Sequence, residues 1–402
     1  MYLTLIVVIS VIVLFFICFE VFYYSREKSP CKILPEFRTN WEITKSEHIC
    51  KYSCKIPIKN FSHTYEATVR DIRPSLRVLA KSELPEDLDV KVKITPLYED
   101  AREDGYWVAY IITPTNELDI KLDIIFDGNI DRINELHAIV IHLDYEIYSR
   151  RNLENHFTEI ILAPHQEVNA TLAPVEDDES IIYPIKTHLI TDSDNMVDIV
   201  TRYVSKIAQP GDIVCMAESV VAITQHRYKH PLEVKPGWWA RRLCYLIPNV
   251  GSLSSRYGMQ TAIDEVGLLR MLLAIGVGAF FKLFGISGWL YRIAGMQSEL
   301  IDDVTGTMAP FDKYIVMGPQ NSQKLVDNIK AKTGLEAAVV DVNDIKRAFI
   351  LACTSGVDKQ KLIKQILNNP LGNSTQQTPI VLVRNKTLYQ KEIKYHDQSC
   401  SV

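Results

Sequence analysis

The sequence lacks any long run of lysine and arginine. Its 44 Lys and Arg residues are outnumbered by 49 Asp and Glu residues, which gives the 402-residue chain a formal net charge of −5. Because proteins that bind nucleic acid generally concentrate basic residues in a patch or stripe, we expect no nucleic-acid partner. With 47% hydrophobic and 23% charged residues, the chain has the composition of a globular protein, and we expect disorder only in its C-terminal tail.

The sequence also lacks a cysteine framework. Its eight cysteines are scattered, and Cys50 and Cys54 have no second pair with the spacing of a zinc site. An ordinary pair of thiols is therefore the plain interpretation of these two residues. A labile disulfide between them is the alternative, and it requires that the segment face an oxidising space.

Charge is absent from the first part of the chain as well. Residues 2–19 contain no charged residue and are almost wholly Leu, Ile, Val and Phe. A helix from Tyr2 to Tyr24 would be about 34 Å long, enough to cross a hydrocarbon core of ~30 Å. No basic residue precedes the apolar run, which is unlike a signal peptide. Arg26 and Lys28 follow it, so we predict a single-pass membrane anchor with the main domains in the cytoplasm.

The spacing of apolar residues changes along the chain and predicts a mixed fold, α+β followed by α/β. Polar and apolar residues alternate in short runs such as Val90–Thr95, whereas Ala138–Leu143 is almost continuously apolar, and both patterns are typical of β-strands. An acidic cluster at residues 176–179 is interpreted as a solvated linker. The predicted segments are a transmembrane anchor over 1–25, a juxtamembrane connector over 26–65, a small β-rich α+β domain over 66–180, a mixed α/β domain over 181–390 and a tail over 391–402.

The second large domain is organised around residues 211–227. Pro210, Gly211 and Asp212 form a turn signal, and the residues after them are apolar with only one charge. This pattern predicts a buried strand that leads into a polar loop ending on Arg227, and a helix is predicted before it over Asp194–Ala208. Ligands in α/β folds bind beyond the carboxyl ends of the strands, so the loop is the expected place for a site.

This block is similar to the start of the coenzyme F420-0:L-glutamate (gamma-glutamyl) ligase family. Gly211, Asp212, Val220 and Arg227 fit the family's pattern without a gap. The resemblance extends over roughly 185–385, and it implies a gamma-glutamyl-ligase-like α/β domain that joins glutamate to a phosphorylated acceptor with GTP and divalent metal, Mn or Mg. The other matching features are Pro236 and Ala240, a helix after Gly318–Pro319 that runs to Lys332, the turn Thr333–Gly334, the strand-end Asp341, and a closing strand over Thr378–Arg384.

The resemblance also implies a set of site residues. Asp341 takes the position of a metal-holding aspartate, and a carboxylate at the end of a parallel strand can hold a cation that bridges phosphate oxygens. The family's second metal loop has no clear copy, so Asp302, Asp303 and Asp312 remain alternatives. Cofactor contacts are expected from Ser252, Ser254, Ser255, Asn343 and Arg227. No catalytic residue is assigned.

Several positions depart from the family. Ile223 stands where the ligases carry lysine, and Gln225–His226 replaces their Glu-Gly. Loss of basic groups favours a changed substrate. It also keeps a second hypothesis open, namely a non-catalytic module that binds a ligand or partner at the membrane. The uncharged polar residues that favour this binding module are Gln225, Gln260, Gln376 and Asn343.

The stretch Gly267–Gly295 is strongly apolar. A buried helix is the plain interpretation, and a membrane-surface helix with Phe280, Phe284 and Trp289 facing lipid is the alternative. The expected partners are therefore a membrane, through the N-terminal helix, and a small-molecule substrate. A homodimer is left open.

Overall fold

The computed structural model forms two compact units. Unit 1 comprises 1–78, 83–133 and 140–160, and unit 2 comprises 79–82, 134–139 and 161–402. The residues that the structure describes are 2–27, 31–99, 101–102, 106–149, 152–164, 172–176, 179–247, 251–286, 288–303, 308–343, 347–370 and 376–386.

The first element is helix α1 (Tyr2–Glu27). Within α1, the segment Ile6–Glu20 is a predominantly apolar stretch of helix, and its side chains are exposed. Among the described residues, no single helix is both long and apolar enough to cross a membrane. The structure thus contains the predicted apolar helix without establishing it as a span.

Unit 1 is built from β-strands in two sheets. The first has the order β1-β3-β7-β5 with β2 on β3, and the second has the order β6-β4-β8-β9. Alternate residues of the long strands are buried, and Ile56, Ile120 and Phe126 lie fully inside. The strands are β1 (Cys31–Ile33), β2 (Glu42–Lys45), β3 (Ile49–Asn60), β4 (Ala67–Ala80), β5 (Leu88–Pro96), β6 (Tyr110–Ile112), β7 (Glu117–Gly128), β8 (Leu136–Ser149) and β9 (Asn152–Leu162).

Two expectations for this region are corrected. Strands β1 to β3 lie where the sequence predicts an irregular connector, because Pro57 and scattered lysines obscured the alternation of β3. The described part of the predicted α+β domain contains no α-helix, only a 3-10 helix at Ile130–Glu135.

The alternative of a Cys50–Cys54 disulfide is also wrong. Both cysteines are free and buried. Four residues along one strand separate their Cα atoms by about 13 Å, whereas a disulfide needs less than ~7 Å.

Unit 2 is centred on a six-stranded sheet with the order β10-β11-β18-β12-β16-β17. Its central pair, β12 and β16, is parallel, and the other described pairs are antiparallel. The strands are β10 (Val175–Glu176), β11 (Ser180–Ile185), β12 (Ile213–Ala217), β13 (Tyr228–Lys229), β14 (Asp302–Asp303), β15 (Ile315–Val316), β16 (Glu336–Asn343), β17 (Arg347–Cys353) and β18 (Ile380–Asn385). The short strands β13, β15 and β14 form a separate three-stranded sheet in that order.

In unit 2, helix α2 agrees with the helix predicted from the spacing of apolar residues, whereas the segment after β12 does not form the predicted loop. Helix α2 begins after Asn195, whose side chain accepts a hydrogen bond from the Val197 amide. The predicted polar loop is instead helix α3, which begins directly at Glu218 and buries Val221, Ala222 and Ile223. The helices are α2 (Met196–Val204), α3 (Glu218–Thr224), α4 (Ala240–Leu243), α5 (Arg256–Val266), α6 (Leu268–Leu283), α7 (Trp289–Ala294), α8 (Met296–Glu299), α9 (Ser322–Thr333) and α10 (Lys359–Ile366).

Helices α4 to α7 share a hydrophobic cluster of their own, separate from the cluster between the sheet and helices α2 and α9. Helix α6 contributes Met271, Ala274 and Ile275 to this cluster. Helices α5 and α6 together have the length and composition of a broken membrane segment, and they are bent by 115° at Gly267. Helix α6 therefore has one buried face and one exposed face, and the alternative of a membrane-surface helix stays a prediction.

Candidate functional site

Two carboxylates lie where the parallel pairing of β12 and β16 ends. Ala217 of β12 is paired with Val340 of β16, and the next residue in each case is acidic, Glu218 and Asp341. Neighbouring parallel strands bring their carboxyl ends to one edge of the sheet, which is where ligands bind in α/β folds. The local fold therefore places both side chains at the expected position of a site.

Glu218 is held in an unusual environment for a carboxyl group. Only 7% of the residue is exposed, and its Oε2 atom has no hydrogen-bond partner. Burial is the main reason that its pKa is raised well above its ordinary value, and the charges of Asp341 and Asp302 raise it further. Buried carboxyls are normally hydrogen-bonded or paired with a positive charge. A proton or a bound cation would neutralise the charge of this unpaired side chain.

Asp302 and Asp341 complete an acidic group with Glu218. Burial raises the pKa of Asp341. Asp302 keeps an exposed surface, yet dense surroundings desolvate its carboxyl group, and together with the Asp341 charge they raise its pKa to about 6. In the described part of the chain, no ion pair to a basic side chain compensates any of the three carboxyls. We call Glu218, Asp302 and Asp341 the carboxylate group.

The pairing of β14 with β15 distinguishes among the upstream aspartates. Asp302 is paired with Val316 and Asp303 with Ile315, and consecutive residues of a strand point to opposite sides. Only one of the two can therefore lie on the side of Asp341. The charge of Asp341 contributes to the raised pKa of Asp302, which favours Asp302. Asp312 lies in a 3-10 helix, Phe311–Lys313, and its Oδ1 atom is buried without a hydrogen-bond partner.

The chemistry of the carboxylate group fits a hard divalent cation. Carboxylate oxygens are the preferred ligands of Mg²⁺ and Mn²⁺, and the orphaned Glu218 Oε2 has a free lone pair in a buried position. Over the residues for which positions are described, no three His, Cys, Asp or Glu side chains already converge as a cation cage. The residue types therefore fit such an ion, while a preformed coordination sphere is not seen among them.

Arg227, expected to contact the cofactor, is used inside the protein. Its Nε donates to the Gly318 carbonyl oxygen at 2.6 Å, and its Nη2 donates to Glu265 at 2.8 Å and to Gln297 at 3.0 Å. It thereby connects the end of the α3 segment to the turn before α9 and to helices α5 and α8. The described contacts of Arg227 are those of a structural clamp.

The three predicted serines form the start of helix α5. Ser252 and Ser254 lie in a 3-10 helix, and Ser255 is the N-cap whose Oγ accepts from the Gly258 amide at 2.8 Å. Gly258 allows this approach, because a Cβ there would lie 2.2 Å from the Ser252 carbonyl oxygen. One hydroxyl is thus committed to capping, and the other two remain half-buried near the helix N-terminus.

Two of the four amide side chains that favoured a binding module, Gln225 and Gln260, have internal partners. Gln225 exchanges two hydrogen bonds with the backbone of Gln320, at 2.9 and 2.7 Å. Gln260 accepts from the Gly237 amide and donates to Asp264. Gln376 is exposed, and Asn343 ends β16 with its side chain outside the described residues.

Sequence reasoning missed Glu218. The pattern that could have identified it was present, because Glu218 is the single charge in an apolar stretch and directly follows a buried strand. Position 223, where the ligases carry lysine, is an isoleucine buried in a hydrophobic cluster. The site is therefore more acidic than the resemblance implies.

Comparison with protein families gives two matches in sequential order. Residues 37–166 match the family described as F420-0:gamma-glutamyl ligase, N-terminal Ig-like domain. Residues 184–270 match the family described as F420-0:Gamma-glutamyl ligase. The first match falls on the two-sheet β region and the second on β11 through the start of α6. No curated protein sequence matches the chain.

Solved structures that match the chain include three that cover about a third of it. The GAE domain of GGA2p from Saccharomyces cerevisiae is 10% identical, with a TM-score of 0.20, and the match covers 34% of this chain and 99% of that one. The yeast GGA1 GAE domain is 10% identical, with a TM-score of 0.20, covering 33% and 97%. A protein from Archaeoglobus fulgidus is 9% identical, with a TM-score of 0.18, covering 33% and 94%.

Proposed function

Because the chain belongs to the F420-0:gamma-glutamyl ligase-like family, we propose that it forms an amide bond between an amino acid such as glutamate and a phosphorylated acceptor. We further propose that the reaction consumes GTP and requires Mn²⁺ or Mg²⁺. The observation that carries the proposal is the carboxylate group at the ends of β12 and β16, with its orphaned Glu218 oxygen.

Asp341, Glu218 and Asp302 are the residues that would hold the cation. When bound, a divalent cation supplies positive charge that neutralises phosphate oxygens during transfer. The contribution of the protein is to bury these carboxyls, which raises the pKa of each, and the neighbouring charges raise the pKa of Glu218 and of Asp302 further. The raised pKa of Glu218 favours the protonated carboxyl in the empty fold, and a bound cation would favour the ionised carboxylate.

The acidity of the site bears on the class of substrate. With a buried Ile223 in place of lysine and Arg227 engaged by Gly318 and Glu265, these two positions do not supply positive charge to a phosphate. A phosphorylated substrate would therefore be held through the cation and through backbone amides, as at the start of α5. We accordingly propose that the acceptor differs from that of the family's ligases.

We also propose that α1 attaches the chain to a membrane, with the main domains on the side of Arg26 and Lys28, the cytoplasmic side by the positive-inside rule. The support is the exposed apolar surface of Ile6–Glu20. A surface of this kind is costly in water and is stabilised by lipid.

The test is GTP turnover by the full chain in lipid nanodiscs. The chain is incubated with GTP, MnCl₂, glutamate and a panel of phosphorylated acceptors, and release of phosphate and of amide product is followed. Activity is expected for the unchanged chain and for Asp327→Asn, an exposed carboxylate on α9. It should be lost in Asp341→Asn and in Glu218→Gln.

A binding module is the second candidate, and the loss of basic groups favours it. If the unchanged chain turns over no GTP with any acceptor, yet an acceptor raises its melting temperature, the ligase proposal is wrong and the module is supported. The internal bonds of Gln225 and Gln260 weigh against the module, because these amides are not free to recognise a ligand.

A further inference from the structure

The outward face of helix α6 is apolar along its whole length. Leu269, Leu273, Gly276, Phe280 and Leu283 follow the spacing i, i+4, i+7, i+11 and i+14, which places them on one face of a helix. All five are exposed, and Leu269 and Leu283 are 78% and 84% exposed. We call these five residues the α6 stripe. No charge interrupts it.

The opposite face of α6 already packs on the protein. Met271, Ala274 and Ile275 belong to the cluster shared with α4, α5 and α7. Gly278 brings α7 close, because a Cβ there would lie 3.1 Å from Leu290 Cβ. A surface helix normally turns its polar face outward. In α6, the face with Met271, Ala274 and Ile275 already packs in the hydrophobic cluster. The α6 stripe is additional apolar surface that no other part of the described structure covers.

The residues around the stripe indicate what covers it. Between residues 266 and 298 the sequence contains Arg270, Lys282 and Arg292 and no Asp or Glu, although the whole chain has a net charge of −5. All three are exposed. A second copy docking stripe to stripe would bring these like charges together, which is unfavourable. An anionic lipid surface complements both the apolar stripe and its positive surroundings.

The end of the helix has the character of a membrane interface. Phe284 and Ile286 extend the exposed apolar surface beyond Leu283. Trp289 stacks on Phe281 with ring centroids 4.2 Å apart, and the Arg292 guanidinium lies 5.4 Å from the Trp289 ring. Aromatic and basic side chains of this kind are enriched at the level of lipid headgroups.

The geometry points to an orientation along the surface. Helix α6 has 16 residues, or about 24 Å, which is shorter than the ~30 Å of a hydrocarbon core. The 115° bend at Gly267 turns α5 away from the axis of α6, and α5 buries Met259 and Ala262 in the cluster that it shares with α6. We propose that α6 lies in the headgroup region of an anionic bilayer with its stripe in the acyl boundary, as a membrane contact of the α/β unit in addition to α1.

The test uses the full chain with Cys18→Ser and Cys400→Ser, so that the remaining native cysteines are buried. A single exposed cysteine is introduced as Leu273→Cys on the stripe or, as the matched control, as Lys324→Cys on the exposed side of α9. Each is labelled with an environment-sensitive fluorophore. The proteins are then reconstituted into nanodiscs of phosphatidylcholine, with or without phosphatidylserine, and with or without nitroxide-bearing lipid.

The label at position 273 is expected to shift to the blue and to be quenched by nitroxide lipid, more strongly when phosphatidylserine is present. The label at 324 should do neither. Lys282→Glu combined with Arg292→Glu should remove the phosphatidylserine dependence, because both residues are exposed and their replacement leaves the packed face unchanged. Equal aqueous exposure of both labels would overturn the proposal. Energy transfer between labelled copies at position 273 without lipid quenching would also overturn it and would identify the stripe as a contact between copies.

Turnover of GTP plays no part in this readout. The ligase proposal and the membrane contact of α6 can therefore fail independently of each other.

Discussion

Glu218 and Asp341 each lie one residue beyond the last parallel pair of β12 and β16, Ala217 with Val340. Glu218 begins helix α3, and Asp341 continues β16. Two acidic side chains at adjacent strand ends repel each other, and burial of Glu218 intensifies the effect because charges are poorly solvated in the interior. Such an arrangement destabilises the empty fold. It is retained at functional sites, where a ligand relieves the repulsion.

We predict that Glu218→Gln stabilises the cation-free protein in a pH-dependent way. The pKa of Glu218 is raised in the folded state, so the folded chain binds more protons than the unfolded chain above the ordinary value of 4.5. Stability of the unchanged protein therefore falls as pH rises from 4.5 toward the folded pKa, by about 1.4 kcal/mol per pH unit from this group. Glutamine removes this dependence.

The measurement is thermal unfolding in EDTA at a series of pH values. Glu218→Gln and the unchanged chain should melt together near pH 4 and diverge above it, with the variant higher. Asp327→Asn is the control and should follow the unchanged chain throughout. A Glu218→Gln variant that is less stable at neutral pH would show that the carboxylate is favourably paired.

We predict that Mn²⁺ raises the melting temperature of the full chain at neutral pH. A cation bound by the carboxylate group stabilises the folded state by mass action. The shift should be absent in Asp341→Asn and reduced in Asp302→Asn, whereas Asp303→Asn should keep it because Asp303 points to the other side of β14. Loss of the shift in Asp303→Asn with retention in Asp302→Asn would reverse the assignment.

The framework of unit 2 could be predicted because its elements are locally encoded. Periodic apolar residues and the Asn195 cap define α2, and a continuous apolar run defines β12. Helix α3 was missed because its seven residues mix Glu218, Ser219 and Thr224 with valines, and only packing against the sheet reveals its buried face. Strand β3 was missed for a related reason. Pro57 interrupts the local sequence signal of a strand, and the strand is evident only from its pairing with β7.

The site was less predictable because it depends on pairings distant in sequence. That Asp302 and Asp303 point to opposite sides depends on the pairing of β14 with β15, and no local pattern encodes that pairing. The role of Arg227 depends on Gly318 and Glu265, which lie 91 and 38 residues away. The one local sequence feature that indicates the site is a charged residue directly after a buried strand, and this feature identifies Glu218.

We predict that Arg384→Met costs about 3–5 kcal/mol, because it leaves Asp212 as an unpaired buried charge. Arg384 Nη2 and Nε donate to Asp212 at 2.8 to 3.3 Å, and Nη2 also donates to the Ile207 carbonyl oxygen. The pair joins the turn before β12 to strand β18. The corresponding surface pair is Lys332 with Asp198, and Lys332→Met should cost less than about 1 kcal/mol.

Unfolding by urea, followed through protection of Cys215 from thiol reagents, reports on the sheet because this cysteine is fully buried. The double variant Asp212→Asn with Arg384→Met should recover part of the loss, since no isolated charge remains. Equal effects of Arg384→Met and Lys332→Met would contradict a structural role for the buried pair.

We predict that Arg227→Met acts on stability and that its effect on GTP turnover follows from loss of fold. Removing the guanidinium leaves the carboxylate of Glu265 without its partner and releases the Gly318 carbonyl oxygen, and hydrogen bonds to charged groups contribute about 1.5–3 kcal/mol each. The melting temperature should therefore fall, and Glu265→Gln in the same chain should recover part of it. At a temperature where the variant is fully folded, the KM for GTP should equal that of the unchanged chain. A KM raised tenfold or more at full folding, about 1.4 kcal/mol, would instead assign Arg227 to the nucleotide, as the family resemblance implies.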